Sequence, residues 1–176
     1  MSTGIKQFKS HGTGEFSPRE FRKLGENVIF EAGVLVFHPE NIELGSNIYI
    51  GHNTMLKGYY RNQLTIGDNT WIGQGCFIHA AGGVAIGNCV GIGPFVKIMS
   101  SEHIEEGREV PVLFARTEDM PVMIEDDSNI GMGAIIRPGI TIGRGCQVGA
   151  GAVVTKSLPP YSVAAGVPAR VLRSRA

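Results

Sequence analysis

The feature that most restricts how this chain can fold is a six-residue spacing of large apolar side chains. They recur at Leu24, Phe30 and Val36; Leu44, Ile50 and Leu56; Ile66, Ile72 and Ile78; Ile86, Ile92 and Ile98; Ile124, Ile130 and Ile136; and Ile142, Val148 and Val154. Within each triplet the spacing is strict. Between triplets two, four, two, twenty and no residues are inserted, always after the third hexad. A period of six fits neither the 3.6-residue turn of a helix nor a hairpin sheet. It fits a coil with three short strands per turn, whose insertions leave from one corner.

The neighbours of each large residue support that geometry. Two positions earlier stands a small or β-branched residue, as at Val28, Val34, Ile48, Thr70, Val84, Val90, Val96, Ala134, Ile140 and Ala152. On a period-two strand both residues point inward and the one between them points out. One position later, glycine fills ten of the twelve first and second corners: Gly25, Gly45, Gly51, Gly67, Gly73, Gly87, Gly93, Gly131, Gly143 and Gly149. We expect these glycines to supply the positive φ of a sharp corner. Six coils at about 4.8 Å make a prism roughly 29 Å tall.

The chain divides into an N-terminal segment 1–23, the coils 24–156 with an excursion at 99–121, and a tail 157–176. Ser17-Pro18-Arg19-Glu20 has the form of a capping box with proline at the first helical position, which predicts a short helix over the open bottom of the core. Leu158-Pro159-Pro160 ends the repeat and leads into an extended tail.

Composition narrows the functional classes. Sixteen basic and sixteen acidic residues balance, so no net field draws the chain to nucleic acid or to an anionic membrane. Cys76, Cys89 and Cys146 lack CxxC spacing and are expected to be small core or turn residues. No apolar run has the length of a signal peptide or a membrane span, so the expected location is cytoplasmic. No Walker-type phosphate loop is present.

The third corner never carries glycine; its occupants are Phe37, Lys57, His79, Met99, Arg137 and Thr155. An irregular excursion of this length in a compact domain points to function, and it holds His103. The expected register stacks His79 directly below Met99, bringing two imidazoles into one locality. Outward residues of the third face (Leu35, Met55, Phe77, Lys97, Ile135, Val153) and the start of the second (Ile29, Tyr49, Trp71) are largely apolar. Such a stripe calls for a partner, and a closed trimer would cover it three times over. His11, His38 and His52 receive no role, and Glu105 to Glu109 form a hydrated surface.

The corner glycines, the segments Ile130-Gly131-Met132-Gly133-Ala134 and Gly149-Ala150-Gly151-Ala152-Val153-Val154-Thr155-Lys156, and the tail Ala165-Gly166-Val167-Pro168-Ala169-Arg170-Val171 together resemble the hexapeptide-repeat acyltransferases. Within them, the galactoside, maltose and xenobiotic O-acetyltransferases are the most similar. The resemblance implies an all-β, left-handed parallel β-helix. It also implies a homotrimer with sites between subunits, and acetyl transfer from acetyl-CoA to a small-molecule hydroxyl without a metal. It assigns His103 as general base and places pantetheine near Met132 and Ala150. Thr155, Lys156, Arg170 and Arg173 would lie at the nucleotide end. His79 and Glu102 are the acceptor-binding candidates. The group that orients His103 stays open among Glu102, Glu105, Glu106 and a backbone carbonyl.

The chain departs from the galactoside branch at Asn129, where that branch has an aromatic residue, and at Gly73 and Ala81, where it has polar acceptor-binding groups. The acceptor is therefore not carried over from that branch. Three alternatives remain: an amino-sugar N-acetyltransferase, a non-catalytic β-helix scaffold, and a zinc carbonic anhydrase, whose HxxxxH pair is missing.

Overall fold

The computed structural model describes residues 7–175. Short parallel strands stack into three sheets, one for each face of a β-helix. The first face runs Lys23–Leu24, Ile42–Leu44, Leu64–Ile66, Val84–Ile86, Val122–Ile124 and Thr141–Ile142. The second runs Val28–Phe30, Ile48–Ile50, Trp71–Ile72, Gly91–Ile92, Asn129–Ile130, Gln147–Val148 and Ser162–Gly166. The third runs Leu35–Phe37, Met55–Lys57, Phe77–His79, Lys97–Met99, Ile135–Ile136 and Val153–Val154.

Pairing follows the hexads residue for residue. On the third face Val36, Leu56, Ile78, Ile98, Ile136 and Val154 form one ladder, and each is at most 2% exposed. One such column per face fills the prism with apolar side chains. Thr54, Thr70 and Ser128 occupy small inner positions, and their hydroxyls donate to the carbonyls of Gly73, Gly87 and Gly143 in the adjoining coil. Cys76 and Cys146 are buried among them, while Cys89 lies exposed in a turn.

The corner glycines serve a different purpose from the one expected. None of the ten has positive φ. The left-handed residue is instead the third after each large one, at all twelve first and second corners: Asn27, Gly33, Asn47, Asn53, Asn69, Gly75, Cys89, Phe95, Asp127, Gly133, Gly145 and Gly151. What the corner glycines permit is close stacking of coils. A Cβ on Gly51 would lie 2.6 Å from Gln74 N, and one on Gly73 would lie 2.6 Å from Pro94 N. Where four corners carry asparagine the left-handed backbone is the same, because Asn tolerates that region better than other chiral residues.

Two end elements also differ from expectation. The predicted N-terminal helix is a single 3-10 turn, Pro18–Glu20, with the Glu20 carboxylate accepting a hydrogen bond from Ser17 N at 2.5 Å. Phe16, Phe21 and Phe30 close the bottom of the prism, with ring centroids 4.9–5.7 Å apart. At the top, the tail makes a seventh coil. Leu158 bridges to Ile142, Ser162–Gly166 joins the second face, and Ala169–Ser174 folds back antiparallel on it. The described residues contain no α-helix and no helix long and apolar enough to cross a membrane.

Candidate active site

The excursion leaves the third corner after Met99, as its position in the repeat requires. It is more regular than a long loop. Ser101–His103 pairs antiparallel with Thr117–Asp119, forming a ribbon that stands off the corner. A 3-10 turn, Val112–Phe114, lies beyond it.

His103 is exposed on this ribbon, and its Nδ1 lies 2.9 Å from the carbonyl oxygen of Ala115. A carbonyl can only accept, so Nδ1 donates, and in the neutral ring Nε2 is then the nitrogen with the lone pair. Ala115 is itself buried, and its backbone N–H donates into the 3-10 turn, so the anchor is held from behind. Among the groups left open by the sequence, the backbone carbonyl is the one in contact. Glu102 instead forms an ion pair with Arg137 of the next coil, and Glu106 forms one with Arg116. That second pair holds the Glu106 carboxyl below its ordinary value and ties together two parts of the excursion.

Met99, Ser101, Glu102, His103, Thr117 and Arg137 are among the residues lining a cleft of about 430 Å³ against the outer surface of the third face. Ile135, 37% exposed, forms its apolar floor. The cleft thus sets the His103 imidazole beside an apolar patch of the third face.

His79 occupies the expected rung, paired with Met99 above and Lys57 below. Its ring stacks on Phe77 and meets Tyr59 edge-on, with centroids 5.9 and 5.7 Å apart. Its Nδ1 is buried without a hydrogen-bond partner. Burial, with the charges of Lys57 and His11, pushes the His79 pKa below 6.5, while Asp119 works in the opposite direction.

The sign of the resulting pH effect is definite. A histidine that binds its proton less well when folded favours unfolding once protonated. Its contribution is therefore complete above the unfolded value near 6.5 and is lost as pH falls toward the lower folded value. We expect thermal melts of the protein to lose more stability between pH 7.5 and 5.5 than those of a His79→Phe variant. Parallel pH slopes for the two would refute this account.

The remaining sites are spread over the upper coils. Met132, 56% exposed, and Ala150 occupy successive turns of the second corner, where Gly151 N donates to Met132 O at 2.8 Å. They lie at the opposite edge of the third face from His103. Thr155 and Lys156 follow Val153–Val154 at the third corner. Arg170 and Arg173 sit on the edge strand of the second face, paired with Ala165 and Val163. Within one chain Met132, Ala150, Arg170 and Arg173 lie at another corner or face from His103, whereas Thr155 follows Val154, which pairs with Ile136 of the His103 cleft.

Sequence reasoning passed over two features: the Ala115 anchor, and Tyr59 in the four-residue insertion after Leu56. The aromatic residues in that insertion, Tyr59 and Tyr60, were the available signal. No group of three or more His, Cys, Asp or Glu side chains is arranged to hold a metal among the described residues.

The family described as hexapeptide repeat of succinyl-transferase matches residues 63–93 and 121–156, on either side of the excursion. A Schizosaccharomyces pombe protein designated an acetyltransferase is 31% identical over 166 residues, covering 92% of this chain and 70% of its own. Galactoside O-acetyltransferase of Escherichia coli is 34% identical over 155 residues, covering 87% of this chain and 64% of its own. The chain thus spans roughly two thirds of these relatives. The chain belongs to the hexapeptide-repeat acetyltransferase family.

Among solved structures, a hexapeptide-repeat acetyltransferase of Vibrio cholerae complexed with acetyl coenzyme A is 25% identical. It superposes with a TM-score of 0.59, covering 90% of this chain and 73% of that one. AntD of Bacillus cereus, an N-acyltransferase in complex with dTDP and 3-hydroxybutyryl-CoA, has a TM-score of 0.80. It shares 22% identity, with coverage of 94% and 92%, and this likeness concerns the fold.

Proposed function

We propose that the protein transfers an acetyl group from acetyl-CoA to a hydroxyl of a sugar or similar small molecule, with His103 as general base. The observation that carries this reading is the His103–Ala115 contact, which in the neutral ring leaves Nε2 as the proton acceptor on a residue lining the cleft. The acceptor hydroxyl gives its proton to Nε2 as its oxygen attacks the thioester carbonyl. Collapse of the tetrahedral adduct expels the CoA thiolate, which takes the proton back from the imidazolium. Backbone N–H groups and the positive charge on the ring favour the adduct's oxyanion.

On this reading the pantetheine arm lies in a groove between neighbouring subunits, where Met132 and Ala150 contact it and His103 meets the thioester. Thr155, Lys156, Arg170 and Arg173 serve the nucleotide end, where basic side chains suit phosphates. His79 and Glu102 border the acceptor.

A homotrimer with sites between subunits supplies the missing convergence. Supporting it, Val112, Leu113 and Phe114 expose apolar side chains 46–63% beside the anchor of His103, and Ile29 and Trp71 are nearly half exposed on the second face. Light scattering is expected to give three times the chain mass, and a monomer would remove this part of the proposal.

The activity itself is tested by incubating the protein with acetyl-CoA and a panel of hydroxyl and amine acceptors while following free thiol. Thiol release with hydroxyl-only acceptors is the expected result. Release with amines alone would replace the reading by N-acetyl transfer. No release, with no thermal shift at millimolar CoA, would leave a binding scaffold.

A further inference from the structure

Below the cleft, the third corner carries a feature that acetyl transfer alone does not require. Lys57 lies one rung beneath His79, which lies one rung beneath Met99. At about 4.8 Å per rung, Lys57 stands roughly 10 Å down the column from Met99. The Lys57 ammonium sits 5.5 Å from the centroid of the Phe37 ring and has no ion-pair partner among the described residues. The side chain is partly buried, and burial lowers its pKa. An unpaired ammonium in such a place is costly, and a matching anion would offset that cost.

The next rung repeats the deficit. His79 Nδ1 is buried with nothing to bond, and its ring lies between Phe77 and Tyr59. Two polar groups without partners therefore lie on adjacent rungs of one aromatic-walled column. The excursion turns the same way. Ser101 lies opposite Asp119, and His103 lies opposite Thr117, so all four side chains leave the same side of the ribbon. Asp119 is close enough for its charge to act on both His79 and Tyr59. His103 thus shares a ribbon face with a residue that already senses the column.

We propose that Lys57 and His79 form a subsite for an anionic substituent, a phosphate or carboxylate, on the acceptor whose hydroxyl reacts at His103. Lys57 supplies charge, and the packed rings of His79 and Tyr59 wall the sugar. The inference rests on the acetyltransferase reading and narrows its acceptor to anionic sugars.

The test uses the full chain, acetyl-CoA and hexoses matched with their phosphates and uronic acids. The expected result is a kcat/KM at least about tenfold higher for an anionic member than for its neutral counterpart. A charge-assisted hydrogen bond of this kind corresponds to roughly 10- to 100-fold. Lys57→Met keeps the apolar stem over Phe37 and should collapse that ratio toward one, chiefly by raising KM for the anionic acceptor. Lys57→Arg should retain most of it. Comparing phosphate with carboxylate identifies which anion fits. A neutral acceptor used as well as its anionic partner, or a Lys57→Met variant with the ratio intact, would overturn the subsite while leaving acetyl transfer standing. No thiol release from the wild type with any acceptor would remove the transferase reading itself.

Discussion

Replacing His103 with alanine is expected to lower kcat by a factor of about 10² to 10⁴, the usual range for loss of a positioned general base. The size follows from how the ring is held. Its Nδ1–H donates to the Ala115 carbonyl, so the nitrogen left free is Nε2, the one that must take the hydroxyl proton. A neutral sugar hydroxyl is a poor nucleophile, and without that acceptor the attack leaves a protonated oxygen in the adduct. His103 is exposed on a ribbon outside the hydrophobic core, so the variant should fold as the parent does. Stabilisation by CoA, measured as a thermal shift, should persist, because the alanine removes no contact assigned to the carrier. If kcat fell less than about threefold on the best acceptor, general-base catalysis by His103 would be excluded. A free amine, which attacks without prior deprotonation, would then be the acceptor class to pursue.

Much of this arrangement was legible in the sequence because a β-helix is nearly one-dimensional. Each residue's neighbours are those one coil away, so a strict count of six determines both register and face. Leu24, Leu44, Ile66, Ile86, Ile124 and Ile142 stack as counted, and Met99 pairs with His79 for the same reason. Counting also placed the excursion, and with it His103, at the third corner.

The count failed where spacing contracted. From Val154 to Leu158 the step is four residues, so the seventh coil broke the pattern although Leu158 still pairs with Ile142. The excursion's ribbon was invisible for another reason. Ser101, Glu102 and His103 have no β-type alternation of apolar residues, and their pairing with Thr117–Asp119 is made by backbone groups that every residue carries. The Ala115 anchor has the same character: any residue except one that altered the turn could offer that carbonyl. Lys57 and Tyr59 were present in the corner and its insertion, but only the folded column shows that a half-buried ammonium and an orphaned imidazole nitrogen are neighbours.

The glycines give the second large effect. Gly73 and Gly133 both lie in corners of the second face, and a reading based on conformational freedom alone would treat them alike. At Gly73 φ is not in the left-handed region, yet an added Cβ would lie 2.6 Å from Pro94 N, 2.8 Å from Pro94 Cα and 2.9 Å from Gly93 C. Every obstacle is backbone of the next coil, so relief requires prising two coils apart and stretching the ladder between Trp71–Ile72 and Gly91–Ile92. We expect Gly73→Ala to cost about 3 kcal/mol or more, the upper range of overpacking, and to lower Tm by roughly 6 to 12 °C in a chain of this size.

Gly133 presents the opposite case. Its φ is +69°, and nothing lies within 4 Å of the added Cβ. Asn27, Asn47, Asn53 and Asn69 hold the equivalent left-handed position elsewhere in the helix, with φ of 53–57°. Gly133→Asn should therefore change stability by less than about 1 kcal/mol. Melting both variants beside the parent by circular dichroism separates the two origins of glycine. Equal losses would mean that backbone conformation sets the corners, and a small loss at Gly73 would mean that the coils are not packed as closely as their 2.8 Å hydrogen bond from Gly73 N to Ile92 O implies.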